Sequence, residues 1–296
     1  MYSPIVVFAY NRKYHLEMTI NALLTNKESN FSDLYIFCDG PKSIDQNDVL
    51  EVRNYVKSII GFNKIHINYR DENHGLAKNV ISGLNYIFSI HEKAIIIEDD
   101  IVVSDSFLKF MNDLLNEYRE EKKIFSISGY NYPIKISQKY LYDIYFFERF
   151  SSWGWATWKD RWNEINFDLN SNELIFNNKK LQNQFQKGGK DLYYMLLDQV
   201  NNKINSWAIR VAYHCFKEKY LNIYPINTKV NNIGHDNSGT HCSTSNKWSI
   251  VTFNISSKGL LPPKIQTNKK ISRKLKIFFS GTLTERIIIK LKNLFQ

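Results

Sequence analysis

The sequence predicts an α/β protein built on a doubly wound, mostly parallel twisted sheet flanked by helices, and three observations predict it. Short apolar, β-rich runs alternate with amphipathic helical segments over the first hundred residues. Three of those runs end in polar or acidic residues, Asn11-Arg12, Asp39-Gly40 and Glu98-Asp99-Asp100, and doubly wound sheets bind ligands outside the carboxyl ends of their strands. The 296 residues are 43% hydrophobic and 23% charged, which allows a packed core of one large or two ordinary domains.

The elements follow in order. Pro4–Tyr10 is an apolar strand, and residues 14–25 place Leu16, Ile20, Leu23 and Leu24 at helical spacing. Leu34–Gly40 is a second strand, closed by the turn signal Asp39-Gly40-Pro41. Residues 48–60 form an amphipathic helix with Asp48 near its start. Lys64–Tyr69 is a third strand, Gly75–Phe88 a third helix and Ala94–Ile97 a fourth strand. The pattern changes after residue 104: a helix over 105–121, a strand over Ile124–Tyr130, an aromatic segment over 140–150, then a polar helical stretch to about residue 220. Residues 231–242 are rich in turn formers and read as a loop.

Composition excludes several classes. Cys38, Cys215 and Cys242 are an odd number without CxxC spacing, so no disulfide framework is expected and a reducing compartment fits. No signal peptide opens the sequence and no run of 18 apolar residues occurs, which predicts a cytoplasmic chain. The seven histidines lack zinc-ligand spacing, and His15, His66, His91 and His214 read as structural. Net charge is +10, but residues 264–296 hold nine Lys/Arg against Glu285 alone, so +8 of it sits there and the first 263 residues carry +2. That tail alternates basic and large apolar residues, a pattern for the inner face of an anionic membrane. No recognition motif supports nucleic-acid binding.

Glu98-Asp99-Asp100 is the most informative stretch. Three adjacent carboxylates at the end of an apolar strand repel one another and are costly to desolvate without a counter-charge. They could be a solvated turn or helix cap, a general acid/base pair of a hydrolase, or a divalent-metal site that neutralises a diphosphate. Their oxygens suit Mg²⁺ or Mn²⁺.

The ordered set of motifs resembles a GT-A glycosyltransferase, over roughly residues 4–242. Glu98-Asp99-Asp100 looks like the Glu-Asp-Asp form of the DxD motif found in N-acetylglucosaminyltransferase I and its bacterial relatives. Val6–Arg12 resembles the first strand, whose arginine approaches the nucleotide, and Phe37–Gly40 the second strand end, whose aspartate, here Asp39, contacts uracil or ribose. Asp71–Phe88 resembles the loop and helix flanking the nucleotide, with Asn79 near a base-contacting position. Ser151–Trp158 resembles the Gly-Trp element facing donor sugar or acceptor, and Asn232–His241 the loop that closes over bound donor.

The resemblance implies a GT-A fold in which Asp100 binds the metal while Asp99 and Glu98 orient sugar hydroxyls and metal-bound water. It implies an inverting displacement in which a carboxylate accepts the acceptor's proton. The stretch equivalent to the relative's acidic base motif, Trp207-Ala208-Ile209-Arg210, has no carboxylate, so Asp198 is the candidate base, with Asp191 and Asp236 weaker ones. His235 or His241 would contact phosphate or metal when the loop closes. Trp153 and Trp155 flank Gly154 in an expected loop, where a ring can stack on a sugar face, whereas Trp155, Trp158 and Trp162 also fit one helix face at i, i+3, i+7.

The expected protein is thus a hexosyltransferase with a GT-A domain over 1–263, split into a nucleotide-sugar half (1–104) and an acceptor half (105–263), plus a basic amphipathic tail over 264–296. Its donor would be a nucleotide sugar, a UDP-sugar by resemblance. Its acceptor would be a glycan or lipid-linked oligosaccharide of surface polysaccharide biosynthesis, met at the inner membrane face. A sugar-phosphate nucleotidyltransferase shares this layout, but it would want a glycine-rich loop after the first strand, and residues 11–15 contain no glycine. A non-catalytic nucleotide-sugar binder or membrane scaffold is the remaining alternative.

Overall fold

A computed structural model describes residues 2–170, 173–236 and 259–279. β1 (Ile5–Ala9) leads into α1 (Lys13–Leu24), β2 (Leu34–Cys38) into α2 (Gln46–Val56), β3 (Ile65–Tyr69) into α3 (Gly75–Ile90), and β4 (Lys93–Glu98) ends in the acidic triplet. This is the alternation the apolar runs predict. There follow β5 (Ile101–Val103), α4 (Phe107–Glu117), β6 (Ile124–Ser128), β7 (Ile144–Phe147), β8 (Trp155–Trp158) and α5 (Lys159–Asn163). The polar helical stretch resolves into α6 (Lys179–Phe185), α7 (Asp191–Val200) and α8 (Trp207–Lys217), before β9 (Leu221–Pro225), β10 (Val230–Asn232) and α9 (Lys269–Phe279).

Eight strands form one sheet in the order β3-β2-β1-β4-β8-β6-β9-β7, and β5 pairs with β10 in a separate two-stranded ribbon. β3, β2, β1 and β4 are mutually parallel, β8 runs antiparallel between β4 and β6, β9 is parallel to β6, and β7 opposes β9. Only β7 and β8 therefore run against the common direction. Helices cover both faces, so β1, β2 and most of β4 are buried on both sides and read as continuous apolar runs, while the edge strand β3 is only half-buried.

Period-two alternation splits each strand between two cores. Ile5, Val7 and Ala9 join Leu34, Ile36, Ile95 and Ile97 in the core under α1, α2, α4 and α9. Val6 and Phe8 join Tyr35, Phe37 and Ile96 in the core under α3, α5, α7 and α8.

Two expectations are corrected here. Trp155 and Trp158 do not share a helix face with Trp162, because they stand at the two ends of strand β8. Three residues apart on a strand point to opposite faces, so Trp158 enters the first core while Trp155 and Trp162 enter the second. Nor is the described part of the tail a separate appendage. Thr267 bridges to Phe146 of β7, and Ile271, Leu275 and Phe279 of α9 are buried in the first core. The body thus continues to Phe279; residues 280–296 lie outside the described residues. Among the described residues no helix is long and apolar enough to cross a membrane.

Candidate active site

Parallel pairing of β1 with β4 sets Phe8 opposite Glu98, so whatever follows these strands emerges side by side at one sheet edge. Arg12, following β1, donates from Nη2 to Asp99 Oδ1 and to Asp100 Oδ2, the latter bond at 3.0 Å. This guanidinium supplies part of the counter-charge the triplet needs. Burial works against the Arg12 cation, but Asp99 and Asp100 outweigh it and hold its pKa above the ordinary arginine range. One cation does not satisfy three acids. Burial, then Asp100 and Asp99, pushes Glu98 up to about 8, and burial lifts Asp99 to about 6 against the pull of Arg12. The cluster is short of positive charge.

Asp100 is buried, and while Oδ2 faces Arg12, its Oδ1 has no hydrogen-bond partner among the described residues. A buried carboxylate oxygen left without a donor is costly, and it is a hard ligand suited to Mg²⁺ or Mn²⁺. Beside it runs the segment bearing His235. β10 pairs antiparallel with β5, the strand directly after the triplet, and the Ile233 N–H extends the ladder by donating to the Asp100 carbonyl at 2.9 Å. Gly234 then passes so close that a Cβ there would lie 2.1 Å from Asp100 Oδ2. The pairing places His235 in the same cavity wall as Asp100 and Glu98, its ring meeting Trp153 edge to face at 5.5 Å. Among the described residues no three His, Cys, Asp or Glu side chains converge as a metal cage. Asp100 and His235 could therefore hold a divalent ion only with phosphate oxygens and water completing its shell, the usual habit of Mg²⁺ in phosphate sites.

Two cavities meet at the triplet. One of about 330 Å³ lies over the ends of β1 and β2 and the start of α3, and is lined by Arg12, Asp39, Asn79, Glu98, Asp99 and Asp100. The other, of about 590 Å³, is lined by Trp153, Asp198, His235, Glu98 and Asp100, together with Tyr130, Tyr132, Arg149 and Trp207. Glu98, Asp100, Leu76 and Asn205 line both.

Within the smaller cavity, two expected base or ribose contacts are already engaged. Asp39 Oδ1 accepts from the backbone N–H groups of Gly40 and His74, at 2.9 and 2.8 Å, which ties the loop before α3 to the end of β2. That loop comes so near that a Cβ on Gly40 would sit 2.2 Å from the Glu72 carbonyl carbon. Among the described residues, Asp39 Oδ2 meets only Asn73 Nδ2, at 3.4 Å. Asn79 accepts from Arg70 Nε at 3.1 Å and donates to the Phe37 carbonyl at 3.4 Å, so both ends of its amide are spent on positioning. Arg70 in turn lies over the Phe37 ring, 5.4 Å from its centroid.

In the larger cavity, Asp198 keeps a half-exposed carboxylate with Lys203 Nζ at 3.9 Å. Asp191 is not available as a base: Arg149 donates to both its carboxylate oxygens, at 2.9 and 2.7 Å. Asp236 is drawn to His15 Nε2 at 3.1 Å. Trp155 is corrected as a stacking residue, being fully buried against Phe150, Trp162 and Trp207 and absent from the cavity wall. His241 lies outside the described residues. Sequence reasoning missed Asn205, Gly234 and Arg149, the partner of Asp191. Gly234 carried a signal, a glycine inside a polar loop, whereas Asn205 and Arg149 carried none.

No protein-family model and no curated protein matches the chain. Among solved structures, S. aureus TarS matches at 13% identity and a TM-score of 0.40, over 60% of this chain and 32% of that one. A Pyrobaculum calidifontis mannosyltransferase, PcManGT, solved with GDP-Man and Mn²⁺, matches at 12% identity and a TM-score of 0.38, over 54% of this chain and 46% of its own. The chain thus spans about a third and just under half of the lengths of these two proteins.

Proposed function

We propose that the chain is a metal-dependent GT-A glycosyltransferase that moves a sugar from a nucleotide-sugar donor to a glycan or lipid-linked acceptor. The observation that carries this reading is the pair of cavities sharing Glu98 and Asp100 as their common wall. A nucleoside occupies the smaller one, above strand ends and a helix start. The sugar and acceptor occupy the larger one, and the diphosphate crosses the acids between them. A diphosphate cannot lie against three carboxylates unaided. A divalent ion held by Asp100 and His235 would offset its charge and stabilise it as a leaving group.

The chain's own residues do the rest. Arg12 holds Asp99 and Asp100 in place and adds positive charge at the phosphate end. Glu98, facing both cavities, is positioned to accept hydrogen bonds from sugar hydroxyls. The Trp153 ring offers a face for stacking against the sugar. Asp198 accepts the acceptor hydroxyl's proton as that oxygen attacks the anomeric carbon, which gives inversion in a single displacement. A UDP-sugar donor and a role in surface polysaccharide assembly complete the proposal.

Steady-state kinetics of Asp198→Asn test the base. The variant should lose about 10²–10⁴-fold in kcat with donor KM little changed, the size of a general-base contribution. An unaltered kcat for transfer would remove Asp198 from the mechanism.

A further inference from the structure

The described part of the basic tail forms a face that extends beyond the tail itself. At about 100° per residue, Lys269, Lys270, Arg273, Lys274 and Lys276 all fall on one arc of α9, with Ile277 near its middle, while Ile271, Leu275 and Phe279 occupy the opposite arc in the core. The five basic residues are exposed, and so is Ile277, at 62%. α9 therefore does not offer its apolar face to a partner; it offers a basic face interrupted by one apolar side chain.

Neighbouring segments enlarge this face. Lys274 Nζ donates to the Lys135 carbonyl, which ties the 132–141 strap to α9, and just beyond the strap the Asp143 N–H donates to the Leu260 carbonyl of the connector at 2.9 Å. Residues 132–141 and 259–279 together carry eight Lys/Arg and no Asp or Glu. Lys135 and Lys139 are exposed, as are Leu141, Leu260 and Leu261. Lys269, Lys270, Arg273 and Lys274 are in no salt bridge among the described residues. The opposite, buried arc of α9 lies one side-chain layer from the larger cavity. Phe279 meets Tyr132 edge to face at 4.7 Å and lies under the Arg149 guanidinium at 4.2 Å, and Tyr132 and Arg149 both line that cavity.

We infer that α9 and the 132–141 strap form a composite docking face for an anionic phospholipid bilayer. Lys and Arg on this face meet anionic headgroups, and Ile277, Leu141, Leu260 and Leu261 enter the interfacial region. Exposed aliphatic side chains among the basic ones favour a lipid surface over a nucleic acid, which would call for stacking aromatics and base-edge contacts. The placement of an acceptor at the membrane rests on the glycosyltransferase reading; the docking face does not.

The test is co-sedimentation of the full chain with vesicles of phosphatidylcholine alone and of phosphatidylcholine mixed with phosphatidylglycerol, at low and high salt. Binding should need the anionic lipid and weaken with salt. Each basic residue near the surface strengthens partitioning by about five-fold, so Lys269→Gln, Lys270→Gln and Arg273→Gln combined should weaken it about 100-fold. Lys135→Gln with Lys139→Gln, outside the tail, should weaken it about 20-fold by the same reckoning. Wild-type binding by the triple variant, or equal binding to neutral vesicles, overturns the inference. So does binding of a homopolymer RNA with none to vesicles, which would give the face to nucleic acid. Donor hydrolysis in vesicle-free solution separates the two proposals: its absence from wild type counts against the transferase reading and leaves the vesicle result standing.

Discussion

Gly234→Ala probes how the segment after β10 is held against the acidic triplet. The added Cβ would lie 2.1 Å from Asp100 Oδ2 and 3.0 Å from Arg12 Nη1, where ordinary contact begins near 3.4 Å. Some 1.3 Å must therefore open between the loop and the carboxylate. If Asp100 moves, its 3.0 Å bond to Arg12 is lost, and breaking a buried ion pair costs about 3–5 kcal/mol. If the loop lifts instead, it gives up the Ile233–Asp100 bond at 2.9 Å and the Gly234–Asn232 bond at 2.8 Å, each worth about 0.5–1.5 kcal/mol. Lifting is the cheaper response. It predicts a stability loss of about 1–3 kcal/mol, and at about 2–4 °C per kcal/mol for a chain of this size the midpoint falls by several degrees. The larger effect is on ligand binding, because lifting the loop carries His235 away from Asp100. Calorimetric titration of nucleotide with Mn²⁺ present should show affinity reduced about ten-fold or more, as losing one metal contact commonly does. Wild-type affinity and wild-type melting together would refute the close packing of this loop on Asp100.

Three further outcomes follow from the packing. Trp155→Ala should cost about 3–5 kcal/mol in denaturant unfolding, because a fully buried indole among Phe150, Trp162 and Trp207 is removed. Trp153→Ala, in the cavity wall, removes a half-buried indole that meets Tyr130 at 4.5 Å. It should therefore cost less stability than Trp155→Ala while raising donor KM, and the reverse pattern for the two tryptophans would restore the stacking role to Trp155. His214 is packed against Phe125 and Tyr220, near Glu218, Glu164 and Lys217, and burial lowers its pKa. The unfolded chain then binds the extra proton as pH drops below about 6.5, so stability should fall there, and thermal melts of His214→Phe should show a shallower loss between pH 7 and 5.

The first half of the fold was legible because buried parallel strands announce themselves as unbroken apolar runs. Ile5–Ala9, Leu34–Cys38 and Lys93–Glu98 match the predicted strands to within one or two residues. Arg12, Asp39 and the triplet could be grouped as one site because parallel strands must deliver their ends to the same edge. The tryptophans failed for a physical reason: the spacing i, i+3, i+7 spans the junction of β8 and α5, so one pattern covers two periods. The ribbon of β5 and β10 was invisible because its strands are three residues each and more than 120 positions apart, with no local periodicity to mark them. That ribbon brings His235 to Asp100. The buried face of α9 was masked by its many lysines, whose charges hide the Ile271, Leu275, Phe279 spacing that docks it.

The central claim, a cation bridging the triplet and a diphosphate, is tested most directly by calorimetric titration of UDP into wild type and Asp100→Ala, each with and without Mn²⁺. Wild type should bind UDP far more tightly with Mn²⁺ present, while Asp100→Ala, which retains the Arg12–Asp99 pair, should bind equally with and without the metal. A UDP affinity that ignores Mn²⁺ in wild type, or a Mn²⁺ dependence that survives loss of Asp100, would contradict it.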